Sequence, residues 1–358
     1  MRNIPELDGL RGLAVAMVFM RHAAYMSGYQ NSLMPSIATL MLNGWIGVDL
    51  FFILSGFLIS RPFFSKNRDF TWRSYLSRRA LRILPAYWFV LLFVVVGGIP
   101  FYAFERADLG FRVYYHLLFL QDYFSSDIVV AFWSLGVEEK FYLLAPALLP
   151  LIMKAPNVRV QFFILSGILL LGPLFRAITV KIVGLASNYP EFFLNYRSPF
   201  HACIDGLFWG VLLARIESCD SKWLTVNRAK AMFWLGGVSI TGLMFSYNLL
   251  DHNSVAASVF RPTGIGLGMA LLVGAAVFGG APRLFAGRFP RWLGRISYSL
   301  YLIHIPLIYP ADALTRFLGE GFMLFMLIYI VITLSVSHLM RVYVEQPFLN
   351  LKMRLLPH

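Results

Sequence analysis

Ten apolar segments, each close to the length of a membrane-spanning helix, constrain this chain more than any other feature. A bilayer core about 30 Å thick requires roughly 20 apolar residues of helix. Hydrophobic residues make up 58% of the 358 and charged residues only 14%, whereas soluble proteins have about 25% charged residues. The sequence therefore excludes a soluble enzyme and predicts an all-α, polytopic membrane protein with residues 1–358 in one integral-membrane domain. The ten segments are 10–28, 44–64, 83–104, 132–153, 160–179, 200–216, 231–249, 263–280, 293–314 and 322–341.

The distribution of basic residues predicts the orientation. The net charge is +13, from 31 Lys and Arg against 18 Asp and Glu. With the N-terminus in the cytoplasm, 22 of the basic residues fall on the cytoplasmic side and 7 on the opposite side. Because cytoplasmic loops of membrane proteins carry an excess of Lys and Arg, we expect both termini to be cytoplasmic. Topology thus explains the charge, and nucleic acid is not expected as a partner. Cys203 and Cys219 give neither a disulfide framework nor a metal-binding pattern.

The first segment contains the ionisable residues Arg11, Arg21 and His22, with Arg11 expected at the cytoplasmic edge and His22 near mid-membrane. Arg11 and His22 are eleven residues apart, so they share one helix face and are separated by about 16 Å along the axis. Histidine is well suited to move protons near neutral pH, and ionisable groups within a span are functional candidates. Asp8 is close enough in sequence to pair with Arg11. The alternative is a histidine that only packs against a neighbouring span.

The fourth segment places a carboxylate on a polar stripe. Ser134, Glu138 and Tyr142 recur every four residues and line one helix face. Glu138 facing His22 would orient the imidazole or stabilise its protonated form, whereas a Glu–Arg pair would only lock two helices together. We expect Glu139 and Lys140 to point elsewhere.

A basic stretch precedes the third segment. Its arginines are Arg73, Arg78, Arg79 and Arg82, and guanidinium groups bind phosphate with bidentate, charge-assisted hydrogen bonds. The alternative is contact with anionic lipid headgroups, which basic cytoplasmic segments also make.

Further polar residues lie in other segments. Asp49 is expected to bind a polar substrate or to cap its helix. His304 follows Tyr301 by three residues on one face and either belongs to the site or packs between helices. Glu345 is expected to form a structural ion pair.

Seven motifs in order along the chain resemble those of the acyltransferase-3 family of integral-membrane O-acyltransferases. They are "LDGLRGLAVAMVFMRH" with Arg11 and His22, "GVDLFFILSGFLIS", "RRALRILPAYW" with Arg79 and Arg82, "WSLGVEEKFYLLAP", "CIDGLFWGVLLA", "LGRISYSLYLIHIPL" and "VEQPF". The resemblance covers nearly the whole chain. It implies transfer of an acyl group, usually acetyl from acetyl-CoA, to a hydroxyl of a carbohydrate in the bacterial cytoplasmic membrane.

The resemblance also implies roles for individual residues. His22 would be catalytic, and Arg79 and Arg82 would bind CoA. From the residues themselves we also expect Arg11 and Glu138 to hold the charge state of His22, and Arg78 and Arg73 to assist CoA binding. No metal is expected. The residues expected to bind substrate or shape the site are Asp8, Asp49, Ser55, Trp133, Ser134, Tyr142, Asp205, Tyr298 and His304.

Several acceptors and functions remain open at this point. The family's acceptors include lipopolysaccharide O-antigen, exopolysaccharide and peptidoglycan sugars, and a macrolide is the alternative. The expected partners are a carbohydrate or lipid-linked glycan and membrane lipids. Some members carry an extracytoplasmic esterase-like domain, which we do not expect here at the C-terminus. A proton-coupled transporter also places His, Glu and Arg inside its spans, and a non-enzymatic partner in a polysaccharide assembly complex is a third class.

Overall fold

The computed structural model describes residues 3–29, 33–65, 71–219, 223–246, 254–319 and 321–355. Within these ranges all regular structure is helical, as predicted. The helices are α1 (Pro5–Met26), α2 (Pro35–Leu42), α3 (Gly47–Phe64), α4 (Trp72–Val95), α5 (Leu109–Leu117), α6 (Trp133–Met153), α7 (Val158–Val183), α8 (Tyr189–Phe192), α9 (Phe200–Ser218), α10 (Val226–Ser246), α11 (Arg261–Val277), α12 (Arg288–Leu318), α13 (Phe322–Met340) and α14 (Gln346–Leu355).

Each of the ten apolar segments overlaps one long helix. Over the described residues, four helical stretches meet a criterion of length and apolar composition for a membrane span, and a fifth does so if the pair Tyr189–Arg197 and Phe200–Ser218, bent by 57°, counts as one span. Several apolar helices thus indicate a multi-pass membrane protein. The number of crossings and the cytoplasmic placement of the termini stay predictions. Residues 247–249 of the seventh segment lie outside the described residues.

The basic stretch before the third segment is helical, not a loop. The helix α4 begins at Trp72, eleven residues before the expected segment, because Thr71 caps it: the Thr71 side-chain oxygen accepts a hydrogen bond from the Ser74 backbone N–H at 3.3 Å. The connection from α3 therefore shortens to 65–71. As a result, Arg79 and Arg82 lie within α4 rather than at its start.

The helix α3 lies at the centre of the bundle and packs closely on α9. Gly56 of α3 faces the backbone of Leu207, and Gly210 of α9 faces the backbone of Ile53. Small residues at helix crossings let two backbones approach closely in apolar surroundings. By contrast, only 28% of the apolar window of α7 and of the stretch Phe322–Leu355 is buried, as expected for helices that face lipid.

Buried ion pairs tie the short segment before α9 to the bundle. Arg197 donates to both carboxylate oxygens of Asp49 at 2.8 and 2.9 Å. Arg176 of α7 donates to Asp205 of α9 at 2.8 Å. A buried charge is tolerated when it is paired and hydrogen-bonded, and removing one partner is strongly destabilising.

A methyl group at Gly56 is expected to separate α3 from α9. In Gly56→Ala the new Cβ would collide with the backbone carbonyl of Leu207. We therefore expect the free energy of unfolding to fall by about 1–3 kcal/mol. Thermal unfolding of the purified protein in detergent measures the change. Gly167→Ala is the matched control, because a Cβ at Gly167 meets nothing within 4 Å; equal stability of the two variants would contradict the close crossing.

Candidate functional site

Two cavities in the interior of the bundle share the lining residue Tyr301. The first, the arginine cavity, has a volume of about 80 Å³ and lies beside the N-terminal half of α1. The second, the histidine cavity, has a volume of about 490 Å³ and lies beside the C-terminal end of α1. The arginine cavity is lined chiefly by Arg11, Ser55, Arg79, Arg82, Ser134, Glu138, Glu139, Tyr142, Tyr298 and Tyr301. The histidine cavity is lined chiefly by Arg21, His22, Tyr25, Trp45, Asp127, Trp133, Tyr189, Arg197 and Tyr301.

A carboxylate and a phenol form the polar wall of the arginine cavity. The Tyr142 hydroxyl donates to Glu138 Oε2 at 2.5 Å and lies 3.5 Å from the Ser55 hydroxyl. The predicted face of α6 is therefore present, with Ser134, Glu138 and Tyr142 on the same cavity. Glu139, which we expected to point elsewhere, lines this cavity as well.

Only two of the four arginines before the third segment reach the arginine cavity. Arg79 and Arg82 line it, whereas Arg73 is exposed and Arg78 Nε donates to the Ser74 hydroxyl at 3.2 Å. The Nε atom of Arg79 is buried and has no hydrogen-bond partner among the described residues. A buried guanidinium with an unsatisfied donor is suited to an anionic ligand.

Two histidines contact each other at the histidine cavity. His304 Nε2 lies 3.1 Å from His22 Nδ1, and the second nitrogen of His304, Nδ1, lies 2.8 Å from the backbone oxygen of Tyr301. His22 Nδ1 is also 3.0 Å from the backbone oxygen of Val18. His304 is completely buried, and its own backbone oxygen accepts a hydrogen bond from the Tyr329 hydroxyl at 2.8 Å.

For two neutral rings, these contacts assign the positions of the protons. A backbone oxygen only accepts hydrogen bonds, so His304 Nδ1 carries a proton and its Nε2 is an acceptor. His22 Nδ1 then donates to His304 Nε2 and to Val18. The proton-free Nε2 of His22 is left available at the cavity as a base.

The two cavities share the lining residue Tyr301. The hydroxyl groups of Ser134 and Tyr301 lie 2.6 Å apart. The neighbouring residue, Trp133, lines only the histidine cavity. This arrangement places Arg11 and His22 on one stripe of α1 as predicted, but in different cavities.

Several contacts expected from the sequence are absent in the described ranges. Glu138 and His22 line different cavities, because Glu138 is held by Tyr142 on the far side of Tyr301, and His304 is the partner of His22. No ion pair joins Asp8 to Arg11, whose side chain lines the arginine cavity instead.

Other predicted site residues have structural partners. Asp49 and Asp205 lie in the buried ion pairs described above, so neither carboxylate is free for substrate. The Tyr298 hydroxyl donates to the backbone oxygen of Ile83 at 2.8 Å while its side chain lines the arginine cavity. Lys140 pairs with Asp122 at 2.5 Å and not with Glu139. Glu345 forms the expected ion pair, with Arg341 at 2.6 Å.

Sequence reasoning missed residues that only the packing brings together. Lys352 of α14 lies close enough to Arg79 and Arg82 to interact with them electrostatically, and α14 packs on α4. Trp45 and Tyr189 come from separate connecting segments and meet at the histidine cavity. No spacing rule links these positions, although Arg21 was visible as a charge inside the first segment.

Comparisons with known proteins identify the family of this chain. The acyltransferase domain model of the acyltransferase-3 family matches residues 4–342. The chain belongs to the acyltransferase-3 family. It is 25% identical over 332 residues to the peptidoglycan O-acetyltransferase OatA of Listeria monocytogenes, covering 86% of this chain and 50% of that protein.

The chain is also similar to two further proteins, of which it covers different shares. The putative peptidoglycan O-acetyltransferase YrhL of Bacillus subtilis is 24% identical, over 97% of this chain and 55% of its own length. The putative membrane-bound transacylase BcsY of Komagataeibacter xylinus is 25% identical, over 89% and 76%. The chain thus spans about half the length of the first two relatives. No solved structure matches it at a significant level.

Proposed function

We propose that this protein is an O-acetyltransferase of the cytoplasmic membrane that moves an acetyl group from acetyl-CoA to a hydroxyl of a surface carbohydrate. The observation that carries the proposal is that a cationic cavity and a histidine-lined cavity share Tyr301, whose hydroxyl contacts that of Ser134. A donor held in the first cavity and an acceptor held in the second would bring their reacting atoms together near Tyr301. The names of the relatives, which refer to O-acetylation and transacylation, support the same reaction class.

The arginine cavity is the proposed donor site. Arg79 and Arg82 would bind phosphate oxygens of CoA on the cytoplasmic side, and the unpartnered Nε of Arg79 fits such an acceptor of hydrogen bonds. The thioester supplies the activated acyl group when bound. The orientation follows from the basic residues, since CoA is made in the cytoplasm.

His22 is the proposed general base in direct transfer. Its Nε2 takes the proton of the acceptor hydroxyl as that oxygen attacks the thioester carbonyl. The new C–O bond forms, the C–S bond breaks, and the thiolate leaves with the proton returned by His22. The imidazole is then neutral again. An acyl-histidine intermediate is the other order of steps, and rapid quenching with detection of acetyl on His22 distinguishes the two.

His304 is the proposed positioning residue for this base. By accepting from His22 Nδ1 it holds the imidazole with Nε2 toward the cavity, and it shares the positive charge when His22 is protonated. His304 would thus orient His22 as the third residue of a catalytic triad orients its histidine. Because Arg11 and Glu138 line the arginine cavity, we propose that they act on the bound donor and not on His22.

The proposed acceptor is a glycan such as peptidoglycan, exopolysaccharide or lipopolysaccharide O-antigen, or its lipid-linked precursor. The larger volume and the Trp and Tyr rings of the histidine cavity support a sugar, because flat aromatic faces pack on pyranose rings while polar groups hold the hydroxyls. Mass spectrometry of glycans from cells with and without the protein identifies which one is acetylated.

Removing either histidine is expected to abolish or strongly reduce transfer. We expect His22→Ala to lower kcat by about 10²–10⁴-fold, the usual contribution of a general base. His304→Leu should lower kcat with the KM for acetyl-CoA unchanged, and His304→Gln, whose amide oxygen still accepts a hydrogen bond, should retain more activity. Transfer from radiolabelled acetyl-CoA by the reconstituted full chain measures each rate.

His116→Gln is the matched control for these variants. His116 is also buried, its Nδ1 lies 2.8 Å from the backbone oxygen of Arg112, and it lies on α5 away from both cavities. Burial lowers the pKa of His116 to about 4, so its ring is neutral too. Activity should persist in this variant. Undiminished transfer by folded His22→Ala would contradict the proposed catalytic role.

We expect substitution of an arginine of α4 to change the KM for acetyl-CoA only where that arginine lines the arginine cavity. Loss of a charge-assisted hydrogen bond costs about 1.5–3 kcal/mol, so Arg79→Gln should raise the KM for acetyl-CoA by roughly 10–150-fold. Arg73→Gln removes an exposed arginine of the same helix and should leave this KM unchanged. Steady-state kinetics at constant salt tests both, and equal effects would indicate that α4 acts only through its general charge.

A further inference from the structure

The histidine cavity combines a large volume with aromatic walls and charged residues. Its wall includes a base, arginines and flat aromatic rings. Four of the aromatic residues come from α1, from the turn before α3, from the start of α6 and from α8. These four are Tyr25, Trp45, Trp133 and Tyr189.

Two of the charged residues on this cavity are neutralised within the protein. Arg197 is held by both oxygens of Asp49 and lies 4.7 Å from the centre of the Trp45 ring. Asp127 pairs with Arg112 and accepts a hydrogen bond from the Tyr115 hydroxyl at 2.6 Å. These charges are therefore satisfied without a ligand.

Arg21 is different, because no carboxylate pairs with it anywhere in the ranges that the structure describes. The residue is only 3% exposed and lines the cavity. Its guanidinium carbon lies 4.2 Å from the centre of the Tyr25 ring, and it is adjacent to Tyr189. Aromatic contacts attract a cation but do not neutralise it. A guanidinium keeps its charge at any physiological pH, so burial leaves one uncompensated positive charge on the wall.

We infer that the acceptor carries an anionic group, a carboxylate or a phosphate, that binds Arg21 in the histidine cavity. This inference rests on the proposed function and names the chemical class of its acceptor. Arg21 and His22 line the same cavity, so an anion bound at Arg21 keeps a neighbouring hydroxyl of the same sugar within reach of the base. The phosphates of CoA have their own cations in the arginine cavity, which leaves Arg21 to the acceptor.

Matched disaccharides test the inference. The full chain is reconstituted in phosphatidylcholine nanodiscs with acetyl-CoA and four acceptors. Chitobiose is neutral, and the disaccharide of N-acetylglucosamine and N-acetylmuramic acid differs from it by an ether-linked carboxylate. The methyl ester of that disaccharide removes the charge again. Chitobiose 1-phosphate carries the anion as phosphate. Acetylated product is measured by mass spectrometry.

We expect at least one anionic disaccharide to have a KM about tenfold below that of chitobiose, the effect of one charge-assisted interaction. The preferred anion tells a sugar carboxylate from a phosphate linkage. In Arg21→Gln the preference should disappear through a higher KM for the anion, and Arg21→Lys should retain part of it. Arg316→Gln is the control, because Arg316 is an exposed cation near the C-terminal end of α12, and it should keep the full preference.

Two results would overturn the inference. One is a wild-type protein that takes chitobiose as readily as both anions. The other is an Arg21→Gln variant with kcat lowered equally for neutral and charged acceptors, which would assign Arg21 to the reacting atoms. If no product forms, the affinities for the same neutral and anionic disaccharides are measured without acetyl-CoA and compared. Loss of transfer alone then counts against the proposed function, and loss of anion selectivity in binding counts against the role of Arg21.

Discussion

An ionisable side chain inside this helical bundle needs a partner, because its apolar surroundings supply no water to solvate the charge. The pair Asp205–Arg176 joins α9 to α7, and the pair Asp49–Arg197 joins α3 to the segment before α9, so both meet this requirement inside the protein. Buried cations that have no carboxylate partner within the protein are therefore candidate positions for binding an anionic ligand.

The same requirement gives each cavity a different chemical character. The arginine cavity holds cations beside a hydrogen-bonded Glu138–Tyr142 pair. The histidine cavity holds the contacting pair His22 and His304 among aromatic rings. Tyr301, whose hydroxyl contacts that of Ser134, lines both cavities.

Much of the architecture could be predicted because helix length and apolar composition are local properties of the sequence. All ten long helices overlap the predicted segments, and the stripe of Ser134, Glu138 and Tyr142 follows from helical periodicity. The start of α4 was wrong by eleven residues, because the cap at Thr71 allows a basic, weakly apolar stretch to be helical.

The partners within the site could not be predicted. Periodicity places residues on a face but does not say which other helix that face meets. The sequence therefore favoured Glu138 as the partner of His22, whereas packing brings His304 there from a position 282 residues away. Arg21 was visible as a charge, but its lack of a counter-ion depends on every neighbouring helix.

The most direct test of this account is transfer across a sealed membrane. Proteoliposomes sorted for one protein orientation receive radiolabelled acetyl-CoA on the outside, with the acceptor disaccharide either trapped in the lumen or added outside. If the arginine cavity faces the donor and the histidine cavity faces the acceptor, vesicles with the arginine cavity outward will label the trapped acceptor, and His22→Ala vesicles will not. Labelling only of acceptor on the same side as acetyl-CoA would contradict the division of the site between two cavities.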